Sequence, residues 1–389
     1  MRRLYLLVAI VVVTLNLRPA LVTIGPVLPL IGQSLSLSSA ALGVLTSLPI
    51  LMLGIAGGIA EPFGRRIGWS TGVVVASILV AAGIALRSTG SVGALFAGAV
   101  LLGAGIGLGN VYVPTLLKWG FSERLGLAMG IYTFCLAAGA MLSVGVTPLF
   151  LALFADDWKP TLGVWAIPAI VSVVAWLPLL RLHGSATATP LPPVPLWRNR
   201  LAWAVTGYMG FQSMLFYSLA SWYPALLHER GLAVATTSLN LSILFVTQTI
   251  FALIVPIVLV RVARQEVIGV ALPAVVMIGI VGAFYGPLAW IPVWSALIGL
   301  ALGGIFGVAL SFMVLRARHV ESAARLSGMA QTVGYVLASL GPLGIGLLHA
   351  ARDPRLATTA WLVLLAFTTA TFGTVAGQNA FVEGEAALT

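Results

Sequence analysis

Residues Tyr5–Pro29 read YLLVAIVVVTLNLRPALVTIGPVLP, with one charge among them. A helix needs about 20 apolar residues to cross a hydrocarbon core, so this stretch is long enough to span. The charge, Arg18, falls near its middle, with Asn16 two residues before it and Pro19 directly after. A guanidinium near the bilayer midplane costs about 2.5–3.5 kcal/mol even on the lenient insertion scale. A chain keeps such a group where it faces a wet cavity or a partner. Pro19, Gly25, Pro26 and Pro29 loosen the same helix, which membranes tolerate where neighbours or cavity water satisfy the freed backbone groups. The stretch is too long and too Pro-rich for a cleaved leader. It predicts a broken, functional first span.

Moving outward, the chain has 389 residues, of which 60% are hydrophobic and 8% charged. With a mean hydropathy of +1.08, that balance excludes an ordinary soluble domain. Twelve apolar runs follow in order: 5–30, 40–61, 68–86, 91–117, 125–153, 160–180, 201–226, 236–260, 267–286, 291–315, 326–349 and 357–377. The expectation is an all-α polytopic membrane protein with twelve transmembrane helices. The single cysteine, Cys135, lies inside a run, so no intramolecular disulfide can form.

A net charge of +10 could point to nucleic acid, but its distribution points to a membrane. With the N-terminus inside, fourteen basic residues fall at cytoplasmic span ends and five at the other side (Arg87, Lys159, Arg230, Arg352 and Arg355). This positive-inside asymmetry predicts both termini in the cytoplasm and reads most of these residues as anchors.

The chain divides at 181–199, RLHGSATATPLPPVPLWRN, a Ser-, Thr- and Pro-rich stretch that reads as a cytoplasmic linker. Six spans lie on each side, giving an N-terminal half at 1–180 and a C-terminal half at 200–389 with a short cytoplasmic tail. At an offset of 200, Gly103 echoes Gly303, Gly107 echoes Gly307 and Met129 echoes Met329. Six-plus-six topology with such echoes predicts two pseudo-symmetric halves, each of two inverted three-helix units. That is the architecture of a rocking secondary transporter with its site near the midplane.

Glycine and proline recur in spans 1, 4, 7 and 10, the helices that line the cavity in this architecture. Each glycine also has a plainer reading, close helix packing through small residues. Polar groups inside the spans give the candidate binding set. Arg18 and Thr14 lie four apart on one face, with Asn16 roughly opposite. Span 4 adds Asn110 and Tyr112. Span 7 adds Tyr208, Gln212 and Tyr217, and span 11 adds Gln331 and Tyr335. Lys118, at the inner end of span 4, reads first as an anchor.

No Asp or Glu lies within a span. A cation with no carboxylate in any span is completed most simply by an anionic or strongly dipolar substrate, and a bidentate fork suits carboxylate-like or nitro-like oxygens. There is no G-x-x-x-x-G-K-[ST] and no metal-ligand cluster. No enzyme activity, cofactor or nucleic-acid partner is therefore expected. The expected partners are the lipid bilayer and a small-molecule substrate, and the expected state is a monomer.

The segment GGIAEPFGRR at 57–66 resembles the signature loop of the major facilitator superfamily. Gly57, Glu61, Gly64, Arg65 and Arg66 match its gating pattern, although Glu61 stands where Asp is usual and Pro62 where a basic residue is usual. NLRPALVTIGPVLPLI at 16–31, GNVYVPTLLKWGF at 109–121, GFQSMLFYSLASWYP at 210–224 and LSGMAQTVGYVLASLGPLGIGLLH at 326–349 resemble the cyanate permease and 2-nitroimidazole transporter family. The resemblance covers nearly the whole chain. It implies a twelve-helix transporter of the bacterial inner membrane that moves a cyanate-like anion or small carboxylate by alternating access. The alternative it implies is efflux of a small neutral drug such as a 2-nitroimidazole. The glycine-proline motif associated with drug–proton antiport is absent from span 5, which reads CLAAGAMLSVGVTP at 135–148.

Overall fold

The computed structural model describes residues 2–121, 123, 125–180 and 195–383. Arg124, residues 181–194 of the expected linker and the Met129 side chain lie outside them. The first run is in three pieces: α1 (Arg2–Asn16), α2 (Pro19–Val22) and α3 (Ile24–Ser34). Then come α4 (Ser39–Ile67), α5 (Trp69–Arg87), α6 (Val92–Gly120) and α7 (Leu125–Leu153). The sixth run is α8 (Trp158–Gly163) with α9 (Ala166–Trp176). The second series is α10 (Arg200–Glu229), α11 (Val234–Leu259), α12 (Gln265–Tyr285), α13 (Ile291–Leu315), α14 (Val320–Ala338) with α15 (Leu340–Leu348), and α16 (Pro354–Ala376).

The sequence sets many of these boundaries locally. Ser38, Ser91 and Asp353 accept the backbone N–H three residues on, at 3.2, 3.2 and 3.0 Å, which caps α4, α6 and α16. Pro19 takes the first position of α2 and Pro26 lies in the first turn of α3. A missing N–H costs nothing there.

Eleven runs among the described residues are long and apolar enough to cross a membrane. The twelfth is α10. It falls short for a physical reason: it is buried on almost every side, so lipid does not select its composition. The protein is thus an all-α, twelve-helix membrane protein. Its lipid-compatible surface is carried by faces such as Ile167, Ile170, Val171 and Val174 of α9 and Leu253, Ile254, Ile257 and Val258 of α11, all exposed.

One expectation needs correction. The stretch 57–66 is not a loop, because α4 continues to Ile67 and α5 starts at Trp69. Only Gly68 separates them, at φ 87°, a conformation that favours glycine. Helix persists because Glu61 and Arg65 pair one turn apart at 2.7 Å, and because Arg65 and Arg66 sit in the last turn, where the helix dipole favours cations. Of the expected linker, the described residues 195–199 lead directly into α10. Leu196–Arg198 form a 3-10 turn and Asn199 Oδ1 accepts from Ala202 N–H at 3.0 Å, capping α10.

The backbone divides into two compact units, Met1–Ala188 with Ser221–Ser242, and Thr189–Ala220 with Ile243–Thr389. In the first, α6 packs into α4 and α5 through its glycines. A Cβ on Gly107 would stand 2.6 Å from the Leu53 carbonyl oxygen, and one on Gly105 would stand 2.6 Å from that of Ala76. In the second, α13 repeats the seam on α11 and α12. A Cβ on Gly307 would stand 3.1 Å from the Ala252 carbonyl, and one on Gly304 would stand 2.8 Å from Leu272. The echoed glycines therefore serve close packing in both units, the plainer of their two readings.

Candidate functional site

In the first unit the site is built around the break in the first run. Leu17 N–H returns to the Thr14 carbonyl at 3.1 Å. Arg18, half-buried, then takes the residue before the restart of the helix at Pro19. Pro19 has no N–H, so the Leu15 carbonyl loses its ordinary helical donor. The α7 backbone closes on it at Gly139, where any Cβ would collide with that oxygen. Leu17 lies over Gly109 of α6, 2.8 Å from where a Cβ would stand. The next residue of α6, Asn110, accepts from Tyr132 Oη of α7 at 3.3 Å. The break thus seats Leu17, the residue before Arg18, on α6 one residue from Asn110.

Two polar neighbours of Arg18 in the sequence are structural. Thr14 is fully buried and donates to its own helix at the Ile10 carbonyl, 2.7 Å. Asn16 shares its Nδ2 donors among the Val12 carbonyl, the Pro168 carbonyl and Ser172 Oγ at 2.8, 3.0 and 2.8 Å, pinning α1 to α9.

In the second unit, α10 carries Gln212 and Tyr217 and α14 carries Gln331 and Tyr335, and the two tyrosines meet. Gln212 is buried and its Nε2 donates to Ser213 Oγ at 2.6 Å and to Met209 Sδ at 3.2 Å. One turn on, Tyr217 meets Tyr335 edge-to-face at 6.2 Å between ring centres. Phe216 extends the cluster to Tyr217 at 5.0 Å and to Phe245 at 6.0 Å. Gln331, one turn before Tyr335, donates to Ser327 Oγ at 2.9 Å.

Tyr112 and Tyr208 do not join these groups. Both are fully buried in helix seams. Tyr112 fills the space left by Gly64 and Gly72 and meets Trp69 edge-to-face at 5.8 Å. Tyr208 packs on Phe312 at 5.5 Å and against Gly373. Their hydroxyls have no hydrogen-bond partner among the described residues. Of the gating pattern, Gly64 is the seat of Trp69, Gly57 lies near the Gly107 carbonyl, and Glu61, Arg65 and Arg66 are exposed.

Sequence reasoning missed three residues. Tyr132 and Phe216 carry no spacing signal, because their partners lie on other helices. Arg87 ends a span, which reads as an anchor, yet it is fully buried.

A twelve-run helical protein with a cation in the middle of its first run is the class of a polytopic solute carrier. The sequence profile of the Major Facilitator Superfamily matches residues 6–342, and the chain belongs to that family. It is 33% identical over 381 residues to the 2-nitroimidazole transporter of Escherichia coli (strain K12), covering 97% of this chain and 96% of that one. It is 28% identical over 346 residues to the cyanate transport protein CynX of the same organism, covering 88% and 90%. Among solved structures, the nucleoside transporter NupG superposes with a TM-score of 0.75 at 13% identity, covering 95% of this chain and 98% of that one.

Proposed function

We propose that this transporter carries a small anion, cyanate-like or a small carboxylate, across the bacterial inner membrane by alternating access. In this reading residues 1–180 and 200–389 are its two six-helix halves, both termini and the linker are cytoplasmic, and the protein works as a monomer. One observation carries the reading. Arg18 sits half-buried at a break built by Pro19, in a chain whose ten carboxylates all lie outside the apolar cores of the spans. The relative that transports cyanate supports the anion class. Further hydrogen-bonding candidates are Asn110 in the first unit and, taken by itself, the second unit's Gln212, Tyr217, Gln331 and Tyr335.

A second reading, export of a planar neutral heterocycle such as a 2-nitroimidazole, draws on a different observation. The rings of Phe216, Tyr217, Phe245 and Tyr335 form a contiguous aromatic cluster of the kind that stacks on flat ligands.

The test is thermal shift of the detergent-purified chain with cyanate, formate and benzoate against 2-nitroimidazole, since a ligand that binds only the folded state raises apparent stability. Arg18→Ala should weaken anion binding about ten- to a hundredfold, the value of a charge-assisted hydrogen bond. Arg18→Lys should recover little, because an ammonium lacks the planar two-pronged contact. Unchanged anion affinity in Arg18→Ala with lost stability would make Arg18 a structural pin. A response to 2-nitroimidazole alone would favour the second reading.

A further inference from the structure

The charged group that the fold buries most completely is not Arg18 but Arg87, the last residue of α5, which has no solvent exposure. Its backbone is locked in place. A Cβ on Gly98 of α6 would stand 2.8 Å from Arg87 N and 2.9 Å from its Cβ. Its Nη2 donates to the Ala20 carbonyl at 2.7 Å. Nε and Nη1 have no partner among the described residues.

The acceptor matters more than the donor. In the restarted helix, Leu21 and Val22 N–H return to the Arg18 carbonyl at 3.0 and 3.2 Å, and Thr23 N–H returns to Pro19 at 2.9 Å. The helical ladder is interrupted after that, at Thr23, and α3 begins at Ile24. Ala20 is the next carbonyl in line, and Arg87 takes it. Pro26, lacking an N–H, removes the ordinary helical donor of the Val22 carbonyl two residues further on. A guanidinium presents five N–H donors in a rigid fork, and Arg87 spends one nitrogen, Nη2, on a carbonyl of the break. Burying a cation this incompletely paired is unfavourable for the fold alone.

We propose that Arg87 is the positioning residue for anion recognition: by holding the Ala20 carbonyl it fixes the short α2 segment, and so the place of Arg18 at its head. This rests on the reading of Arg18 as the anion contact. Arg87 acts through the backbone and does not touch the substrate.

Two readouts on the full-length protein in detergent test it. Hydrogen exchange at the Leu21–Gly25 amides should quicken about tenfold in Arg87→Met, and cyanate or formate affinity by thermal shift should fall about tenfold, the loss of one charge-assisted bond. Arg87→Lys, which keeps the charge and one flexible donor, should fall between wild type and Arg87→Met on both. It also serves as the folded variant if Arg87→Met does not assemble. Lower melting temperature with unchanged exchange at the break and unchanged anion affinity would overturn the proposal and leave Arg87 a packing residue. A wild type that answers neither anion would sink this proposal together with the Arg18 reading. Failure of Arg87 alone looks different: Arg18→Ala loses the anion response while Arg87→Met keeps it.

Discussion

The first and seventh runs hold the same ordinal place in their six-run series and solve the same problem in opposite ways. The first is cut into α1, α2 and α3, with prolines at two restarts and a charge at the cut. The seventh is one helix of 30 residues that runs through Pro224 without interruption and carries no Asp, Glu, Lys or Arg between Arg200 and Glu229. Where the first run approaches its neighbours it does so with backbone, as at the Leu15 carbonyl over Gly139. At Gly207 the seventh run instead receives a neighbour's side chain, the Phe372 ring of α16. One run carries a charge at a break in its helix. The other offers an adaptable aromatic and amide surface.

The largest expected effect breaks the comparison at its glycines. Overpacking a helix seam costs about 1–3 kcal/mol, and more when backbone must move. Gly139→Ala should therefore lose about 3 kcal/mol or more, because the obstacle is a carbonyl group. Gly207→Ala should lose about 1 kcal/mol, because the Phe372 ring, 2.5 Å from the new Cβ, can rotate out of its stack on Phe211. Gly130→Ala, with nothing within 4 Å, should gain up to about 1 kcal/mol from helix propensity alone and sets the baseline for the other two. Melting of the purified variants in one detergent checks the order. Equal losses at Gly139 and Gly207 would show that the first run is no more rigidly seated than the seventh.

A smaller effect sharpens the polar half of the comparison. Asn16→Ala removes three buried contacts at 2.8–3.0 Å between α1 and α9 and should cost about 1–2 kcal/mol. Ser172 keeps its own bond to the Pro168 carbonyl at 2.9 Å, which limits the loss. Gln212→Ala removes a donor to a thioether and to the adjacent Ser213. It should cost less than about 1 kcal/mol while changing ligand response. Paired denaturation and thermal-shift titrations check both. If Asn16→Ala changes ligand affinity and Gln212→Ala does not, the assignment of roles is reversed.

These contrasts mark where the sequence was legible. Span number follows from apolar length alone, and eleven of twelve runs carry that signal unaided. The restarts at Pro19 and Pro26 follow from the missing proline N–H. Helix ends were harder, because α4 runs past its apolar stretch on the strength of Glu61–Arg65 pairing and turns only at Gly68. Among the candidate residues, Asn16 already read as facing away from Arg18, and it does pin α9. Tyr112 and Tyr208 looked like site residues because a polar atom in a span draws attention. What decides their place is a glycine on another helix, Gly72 or Gly373, and no local pattern shows that. Arg87 was hidden for the complementary reason: a cation at a span end is normally solvated, and only the close crossing of α5 and α6 at Gly83 and Gly98 buries it.

The smallest expected effect concerns how the seventh run is anchored at its start. Asn199 caps α10 with its Oδ1 and donates from Nδ2 to the Val382 carbonyl at 2.8 Å. Val382 N–H in turn reaches the Arg316 carbonyl at 2.9 Å. Next to it, Glu383 Oε1 accepts the N–H groups of Arg318 and His319 at 3.0 and 3.3 Å, at the head of α14, and the Arg318 guanidinium lies 4.7 Å over the Phe381 ring. Burial pushes the Glu383 carboxyl up, but the backbone N–H groups led by that of Arg318 outweigh it and hold the group below the ordinary glutamate range. A depressed folded value means that the contribution is present above the unfolded value, about 4.3, and is lost as pH falls through the folded one. A carboxylate at a helix start is worth about 0.3–1 kcal/mol. Protection of the Arg318 and His319 amides, corrected for the intrinsic exchange rate, should therefore be level from pH 7 to 5 and fall below that. Glu383→Gln should be less protected at pH 7 and flat with pH. A wild-type profile as flat as that of the variant would mean that the tail is held by Val382 alone, and that the start of the seventh run owes nothing to charge.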